Sequence, residues 1–250
     1  MKIVVVGGTG LIGSKVVGLA RAEGHTASVA VPNTGVNTVT GEGLFEALMG
    51  VDIVIDVSNS PSFEAEAVMA FFKNSTSNLL DTGKATGVKH HVALSIVGTN
   101  RLPDNAYFQA KLAQEAMIRN HALPYTIVHA TQFLEFLPTL ADMYTTGNEA
   151  RVPTGNVQLI AADDVASMLL EAALSRPQNG DIEIAGPERA PMNVMVERYF
   201  AATGDNRQAL ADPTASYFGA LLEENSLVPH GEARRGTITF DQWIGMRAAA

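Results

Sequence analysis

The chain contains no cysteine, which excludes disulfides, thiolate metal sites and a cysteine nucleophile together. It has no run of about 18 uncharged apolar residues, the length a membrane-spanning helix needs. Basic residues are scarce: 17 Lys and Arg stand against 26 Asp and Glu, for a net charge of −9. The only basic groupings are Lys89-His90-His91 and Arg234-Arg235, too little to hold a nucleic-acid backbone or an anionic membrane surface. Met1-Lys2 leads straight into an apolar run, so no signal peptide is expected and the expected location is cytoplasmic. These absences leave a small molecule as the expected partner, with room for a homo-oligomer.

What is present suits a buried core. With 46% hydrophobic residues over 250 positions, residues 1–250 are expected to form one domain, with a small lobe appended. Apolar, β-branched runs occur at Ile3–Val6, Ala27–Val31, Ile53–Val57, His91–Ser95, Thr126–Ala130 and Ile182–Ala185. Helix-length segments separate most of them, which predicts an α/β fold with a doubly wound parallel sheet, Rossmann-like. Ser60-Pro61 reads as a helix start running through Phe63, Phe71 and Phe72. Asp163-Asp164 precede the helical spacing of Val165, Met168, Leu169 and Ala172, where acids suit a helix N-terminus better than they suit catalysis. From Gly186 the chain carries more Pro, Gly and Asn, and a smaller substrate lobe is expected from about 186–250 with part of 135–158.

The most informative segment is Val6-Gly7-Gly8-Thr9-Gly10-Leu11-Ile12-Gly13, at the end of the first apolar run. Gly7 permits a sharp turn, Gly10 lets a phosphate approach bare backbone, and Gly13 lets the following helix pack closely on the strand. The helix start then offers free N–H groups and a positive dipole end to a pyrophosphate. A dinucleotide is the expected cofactor. The second strand ends Val29-Ala30-Val31-Pro32-Asn33-Thr34, without the acid that would accept hydrogen bonds from a ribose 2′-hydroxyl. NADP(H) is therefore favoured over NAD(H), with Asn33 and Thr34 the groups offered to a 2′-phosphate.

Tyr107 and Lys111 lie four residues apart on a predicted helix that runs to about Asn120, so both point from one face. A nearby ammonium favours the phenolate, which would bring Tyr107 toward useful acid strength. Ser95 ends the apolar run 12 residues upstream. The carboxyl edge of an open α/β sheet is where ligands sit, and a hydroxyl there can meet a substrate oxygen or satisfy local backbone.

Gly-Gly-Thr-Gly-Leu-Ile-Gly at 7–13, Leu94-Ser95, Tyr107 with Lys111, Ala-Thr-Gln-Phe at 130–133, Ala-Asp-Asp-Val-Ala at 162–166 and Ile-Ala-Gly-Pro-Glu at 184–188 together resemble the short-chain dehydrogenase/reductase superfamily. The nearer resemblance is to its atypical NmrA-like branch of NAD(P)-binding proteins. It implies that Gly7, Thr9, Gly10, Leu11, Ile12 and Gly13 line the pyrophosphate, that Ser58 and Asn59 flank the adenosine and ribose, and that Thr131, Gln132 and Phe133 border the nicotinamide. It further implies that Lys111 holds the nicotinamide ribose, that Tyr107 donates a proton and that Ser95 orients a carbonyl. The implied function is an NAD(P)H-dependent oxidoreductase acting on a small, largely apolar carbonyl or quinone-like substrate. The alternative is a non-catalytic, redox-sensing regulator that binds the dinucleotide; isomerisation through a transient keto intermediate ranks lower.

Other residues read as structure. His90 and His91 point to opposite faces of a strand with no third ligand near, so no metal is expected and a solvated strand entry is. His129 can touch cofactor or fill the core. Phe133, Phe136 and Tyr144 are candidates for one wall of an apolar pocket, with Phe218 or Trp243 opposite.

Overall fold

All six apolar runs become strands, the central four buried on both faces as a parallel sheet requires. The computed structural model describes residues 1–248. The first half runs β1 (Lys2–Val6), α1 (Leu11–Ala22), β2 (Thr26–Ala30), α2 (Leu44–Leu48), β3 (Ile53–Asp56), α3 (Ala65–Thr86), β4 (His90–Ile96), α4 (Ala106–Asn120) and β5 (Tyr125–Ala130). The second half runs α5 (Leu137–Met143), β6 (Thr145–Thr146), β7 (Glu149–Val152), β8 (Asn156–Val157), α6 (Ala162–Leu174), β9 (Gly180–Ala185), β10 (Ala190–Pro191), α7 (Met192–Thr203), β11 (Gln208–Ala211), β12 (Arg234–Arg235) and α8 (Phe240–Ala248).

Seven strands form one sheet in the order β2-β1-β3-β4-β5-β9-β12, every pair parallel. The two faces are filled by the strands' period of two. Ile3, Val5, Ile55, Val92 and Val128 pack under α1 and α6, whereas Val4, Val6, Val54, Ala93 and Ile127 pack under α2, α3 and α4. Each of these side chains is at most 2% exposed, so each except the smaller Ala93 contributes about 1.5–3 kcal/mol by leaving water. The strand order reverses between β1 and β3, and a doubly wound sheet opens a ligand crevice at such a reversal, beyond the strands' carboxyl ends.

A second core gathers Leu134, Leu137, Val152, Val157, Met192, Phe200, Leu227 and Trp243 outside the main sheet. Two small sheets, β6-β7-β11 and β8-β10, carry part of it. Within the 186–250 segment, however, β12 returns to the main sheet and pairs with Ile184 and Ala185. Asp164 secures that return by accepting from Thr237 N and Ile238 N, each at 2.9 Å. The last two positions of the expected lobe, 249 and 250, lie outside the described residues.

Two expectations need correction. The helix expected at Ser60-Pro61 starts later, at Ala65, because Ser60 and Ser62 turn their hydroxyls onto the N–H groups of Ser62 and Glu64 and stabilise successive turns instead. The expected solvated entry at His90-His91 is buried. His90 is held between the Ala173 carbonyl (3.1 Å) and the Thr126 hydroxyl (2.9 Å), but neither ring nitrogen of His91 has a partner among the described residues.

Burial pushes the pKa of His91 down to about 4; Asp56 opposes this, and His90 and His121 reinforce it. A histidine kept neutral in the fold but free to protonate when unfolded lowers stability as pH falls from about 6.5 to about 4, by up to about 3 kcal/mol. His91→Leu removes both the unpaired polar ring and this proton uptake. The variant is expected to keep or gain stability at pH 7 and to show a flatter loss between pH 6.5 and 4, followed by urea melts across that range; a loss as steep as that of the wild type would refute the assignment.

Candidate active site

The glycine loop sits at the reversal point. Gly7 has a φ of +76°, and a Cβ there would lie 2.9 Å from Ser58 Cα, so the loops after β1 and β3 abut. Gly13 tolerates no Cβ either: one would lie 2.3 Å from the Gly7 carbonyl oxygen and 2.7 Å from Gly8 Cα. Gly10 differs. Its Cβ would meet only the Gly7 oxygen, at 3.3 Å, and its backbone is exposed at the N-cap of α1, where no side chain caps the helix. Thr9, Gly10 and Leu11 are all exposed, Gly10 with bare backbone, and the first N–H groups of the helix lack intrahelical partners. The Ile12 side chain instead points into the core, leaving its backbone as the part that could meet a phosphate.

The other expected residues follow neighbouring strands at the same carboxyl edge. Ser58 and Asn59 follow β3, Thr131, Gln132 and Phe133 follow β5, and Asn33 and Thr34 form a single 3-10 turn after β2. The Thr34 hydroxyl is committed to local backbone, accepting from Val31 N and donating toward Val31 O at 2.9 Å, whereas Asn33 is exposed. Thr131 donates to the Gln158 carbonyl at 2.6 Å, and Phe133 packs against the sheet core. Gln132 is 8% exposed, and its carboxamide nitrogen and oxygen both lack partners among the described residues. Orphaned buried amides are rare, and an amide-bearing ligand satisfies both atoms at once. An uncapped helix start with a bare Gly10 over the reversal point and an orphaned amide beyond β5 fit a dinucleotide.

Tyr107 and Lys111 converge on one ring. Lys111 Nζ lies 4.6 Å from the centroid of Phe72, and the Tyr107 ring stands nearly edge-on to it at 5.8 Å. The Tyr107 hydroxyl donates to Asn59 Oδ1 at 2.9 Å. Lys111 is buried, donating to the Leu94 carbonyl at 2.8 Å and to Gln114 Oε1. Gln114 in turn donates to Asp56 Oδ2 at 3.1 Å, and Asp56 Oδ1 accepts from the Ser58 hydroxyl at 2.6 Å. Burial pushes the Lys111 pKa down to about 8, opposed by the charges of Asp56 and Glu115. Two of its three N–H donors are used by Leu94 and Gln114, which leaves one for a ligand hydroxyl.

Two electrostatic expectations are overturned. Lysine does not lower the Tyr107 phenol in this arrangement; burial pushes it up to about 12. Ser95 does not keep its hydroxyl free for a carbonyl. It faces α4, 3% exposed, and its hydroxyl donates to Glu115 Oε1 at 2.5 Å. Its one proton is thus committed. Glu115 also receives His129 Nε2 at 3.0 Å, the Thr99 hydroxyl at 3.3 Å and Arg119 at 3.0 Å. Burial raises the Glu115 pKa, but His129, Ser95 and Arg119 outweigh it and hold the carboxyl at about 2. His129 is therefore part of the hydrogen-bond cluster around the buried Glu115. That cluster borders a polar cleft of about 730 Å³ beside α4, which includes Arg101 and Asp181 and none of the glycine-loop residues.

Asp56, Gln114, Glu115 and Phe72 escaped the sequence reading. Asp56 left a signal, a lone acid ending an otherwise apolar strand; Gln114 and Glu115 left one in their spacings of three and four residues from Lys111. Trp243 proves to be core, its indole N–H donating to Glu135 at 3.1 Å, while Phe218 stacks on Phe136.

The family model described as NAD(P)H-binding matches residues 7–176. The chain belongs to this family. This NAD(P)H-binding protein is 26% identical over 194 residues to the photosystem II assembly factor Ycf39 of Synechocystis sp., covering 69% of its own length and 60% of that relative. The chain thus spans about three fifths of that curated relative. Its fold matches MoeE5 solved in complex with UDP-glucose and NAD, with a TM-score of 0.76, 16% identity and 100% of both chains covered. It also matches a short-chain dehydrogenase/reductase superfamily protein of Agrobacterium tumefaciens with bound NAD, with a TM-score of 0.73, 18% identity and 100% and 96% of the two chains covered. The resemblance read from the sequence agrees with these matches. Among the described residues, no helix is long and apolar enough to cross a membrane.

The loop geometry separates two glycine variants. Gly10→Val has an ordinary φ of −77° and little to collide with, so its melting temperature should stay near that of the wild type while the Kd for NADPH rises more than tenfold by calorimetry. Gly13→Ala forces backbone apart and should cost about 1–3 kcal/mol of stability. Wild-type NADPH affinity in Gly10→Val would remove the pyrophosphate from this loop.

Proposed function

We propose that the protein is an NAD(P)H-dependent oxidoreductase that reduces a small, largely apolar carbonyl or quinone-like acceptor. The observation that carries this reading is the convergence of the Tyr107 ring and the Lys111 ammonium on Phe72, beside Asn59 and the crevice. A phenol alone on a helix face needs no buried cation next to it; a proton donor beside a cofactor ribose does.

Bound NAD(P)H would supply the hydride. Lys111, anchored by Leu94 and Gln114, would offer its remaining N–H to the nicotinamide ribose, and Gln132 would meet the nicotinamide carboxamide. Tyr107 would donate its proton to the developing alkoxide. At about 12 its pKa keeps the phenol protonated at neutral pH, so the donor form is fully populated before reaction. Asn59 accepts that proton's hydrogen bond in the free protein and so aims the hydroxyl until an acceptor replaces it.

Ser95 is not assigned the carbonyl, since Glu115 holds its proton. That same withdrawal is what favours the second reading, a dinucleotide-binding regulator without turnover. NADP(H) remains the preferred cofactor in this reading, because no acid follows β2 and the exposed Asn33 is the side chain available to a 2′-phosphate.

Tyr107→Phe keeps the ring on Phe72 and removes the proton. Turnover, followed as NADPH oxidation across a panel of carbonyls and quinones, should fall roughly 10²-fold or more with NADPH affinity nearly unchanged. A regulator predicts no turnover in the wild type and a silent variant. Asn33→Asp should weaken NADPH binding and favour NADH, through repulsion of the 2′-phosphate and a new contact to the 2′-hydroxyl; a wild type that already binds NADH tenfold better would contradict the assignment.

A further inference from the structure

A tight hairpin at residues 217–220 holds an aromatic ring where side chains avoid going. Tyr217 and Ala220 exchange both backbone hydrogen bonds, at 2.7 and 3.2 Å, and between them Phe218 and Gly219 have φ values of +48° and +89°. Positive φ at both central residues makes a type I′ turn, which favours Asn or Asp before Gly. Phenylalanine there is strained, and burial does not explain it, because the ring is 39% exposed. Its surroundings are aromatic. Phe218 stacks on Phe136 at 6.1 Å and stands edge-on to Tyr217 at 4.9 Å, and the Tyr144 hydroxyl fixes the turn's entry by donating to the Ser216 carbonyl at 2.9 Å.

Tyr217 supplies the second observation. It is 4% exposed, yet no hydrogen bond satisfies its hydroxyl among the described residues. Tyr107 and Tyr144 pack against the second core that contains it, and burial followed by the charges of those two phenols holds its pKa well above the ordinary tyrosine range. A phenol whose ring is buried and whose hydroxyl bonds no described residue has a donor to offer a ligand. The site needs one, since a carbonyl oxygen accepts two hydrogen bonds and Ser95 is spent on Glu115.

We propose that Tyr217 and Phe218 form the acceptor subsite, in which the Tyr217 hydroxyl hydrogen-bonds the carbonyl oxygen that Tyr107 protonates and the Phe218 ring covers one face of a planar aromatic acceptor, a quinone or aryl ketone. The inference rests on the reductase reading and names its substrate class. The carbonyl carbon takes a hydride, with its two electrons, from the reduced dinucleotide; the oxygen takes the Tyr107 proton, which solvent restores; Tyr217 keeps its own proton throughout. The turn's strain is then retained for the ring it displays.

The test uses 1,4-naphthoquinone, whose usual thiol adducts cannot form because the chain has no cysteine. Calorimetry on the NADP⁺-loaded protein reads binding without turnover, and NADPH oxidation reads turnover. Tyr217→Phe and Phe218→Asn should each weaken naphthoquinone binding at least fivefold, with NADPH affinity unchanged and kcat/KM lowered about tenfold or more. Phe218→Asn installs the residue the turn prefers, so its melting temperature should hold or rise while quinone affinity falls, a pairing that a packing residue would not give. The proposal is overturned if naphthoquinone does not bind the wild type saturably, if both variants bind it as the wild type does, or if Phe218→Asn melts lower and binds unchanged. Weakened binding in both variants with no turnover anywhere would keep the subsite and reject the reductase; full turnover in both would keep the reductase and reject the subsite.

Discussion

The buried ammonium of Lys111 is the constraint around which the site is arranged. A cation enclosed between a helix and a sheet must find compensation from its neighbours, and an unpaired one is among the costliest groups a core can hold. Here a backbone carbonyl, a carboxamide, the face of Phe72 and the more distant Asp56 share the task. Each of those partners is fixed by something else: Leu94 by the β4 ladder, Gln114 by Asp56, Asp56 by Ser58. One charge therefore ties the ends of β3 and β4 to α4. It also sets the position of Tyr107, one helical turn earlier, without touching it.

A second buried charge does related work on the neighbouring strand. Glu115 collects a serine, a threonine, a histidine and an arginine from β4, the following turn, β5 and α4 itself. Consecutive residues of one helix, Gln114 and Glu115, thus serve two separate networks, one at the crevice and one beside it. The division explains why a serine at the end of a strand, a position suited to catalysis, is turned to structure. Its side of the strand faces the acid.

The sheet was legible because burial on both faces forces a pattern that needs no tertiary knowledge. The glycine loop was legible for a similar reason: Gly7 and Gly13 answer steric demands that arise within seven residues. What stayed hidden depends on partners distant in the chain. Nothing near Ser95 in sequence reveals Glu115, and nothing near His91 reveals that α3 and α4 will seal it from water. The helix start at Ser60-Pro61 was misplaced because a serine that caps a helix and one that caps a turn use the same hydroxyl. The second core was the least legible, since its short strands carry too few residues for a period to emerge.

The return of the chain from that second core to the main sheet bears on the order of folding. Strand β12 closes the sheet edge beside β9, and Asp164, at the start of α6, holds backbone more than seventy positions further on. Such contacts have a large sequence separation, and the loop between them must be ordered before they can form. The first five parallel strands, by contrast, are joined by short crossovers and can assemble as synthesis proceeds. The crevice proposed to receive the pyrophosphate is therefore built early, from residues near the start of the chain. The wall that would select an acceptor is completed last, when residues beyond 236 find a carboxylate already waiting at the head of α6.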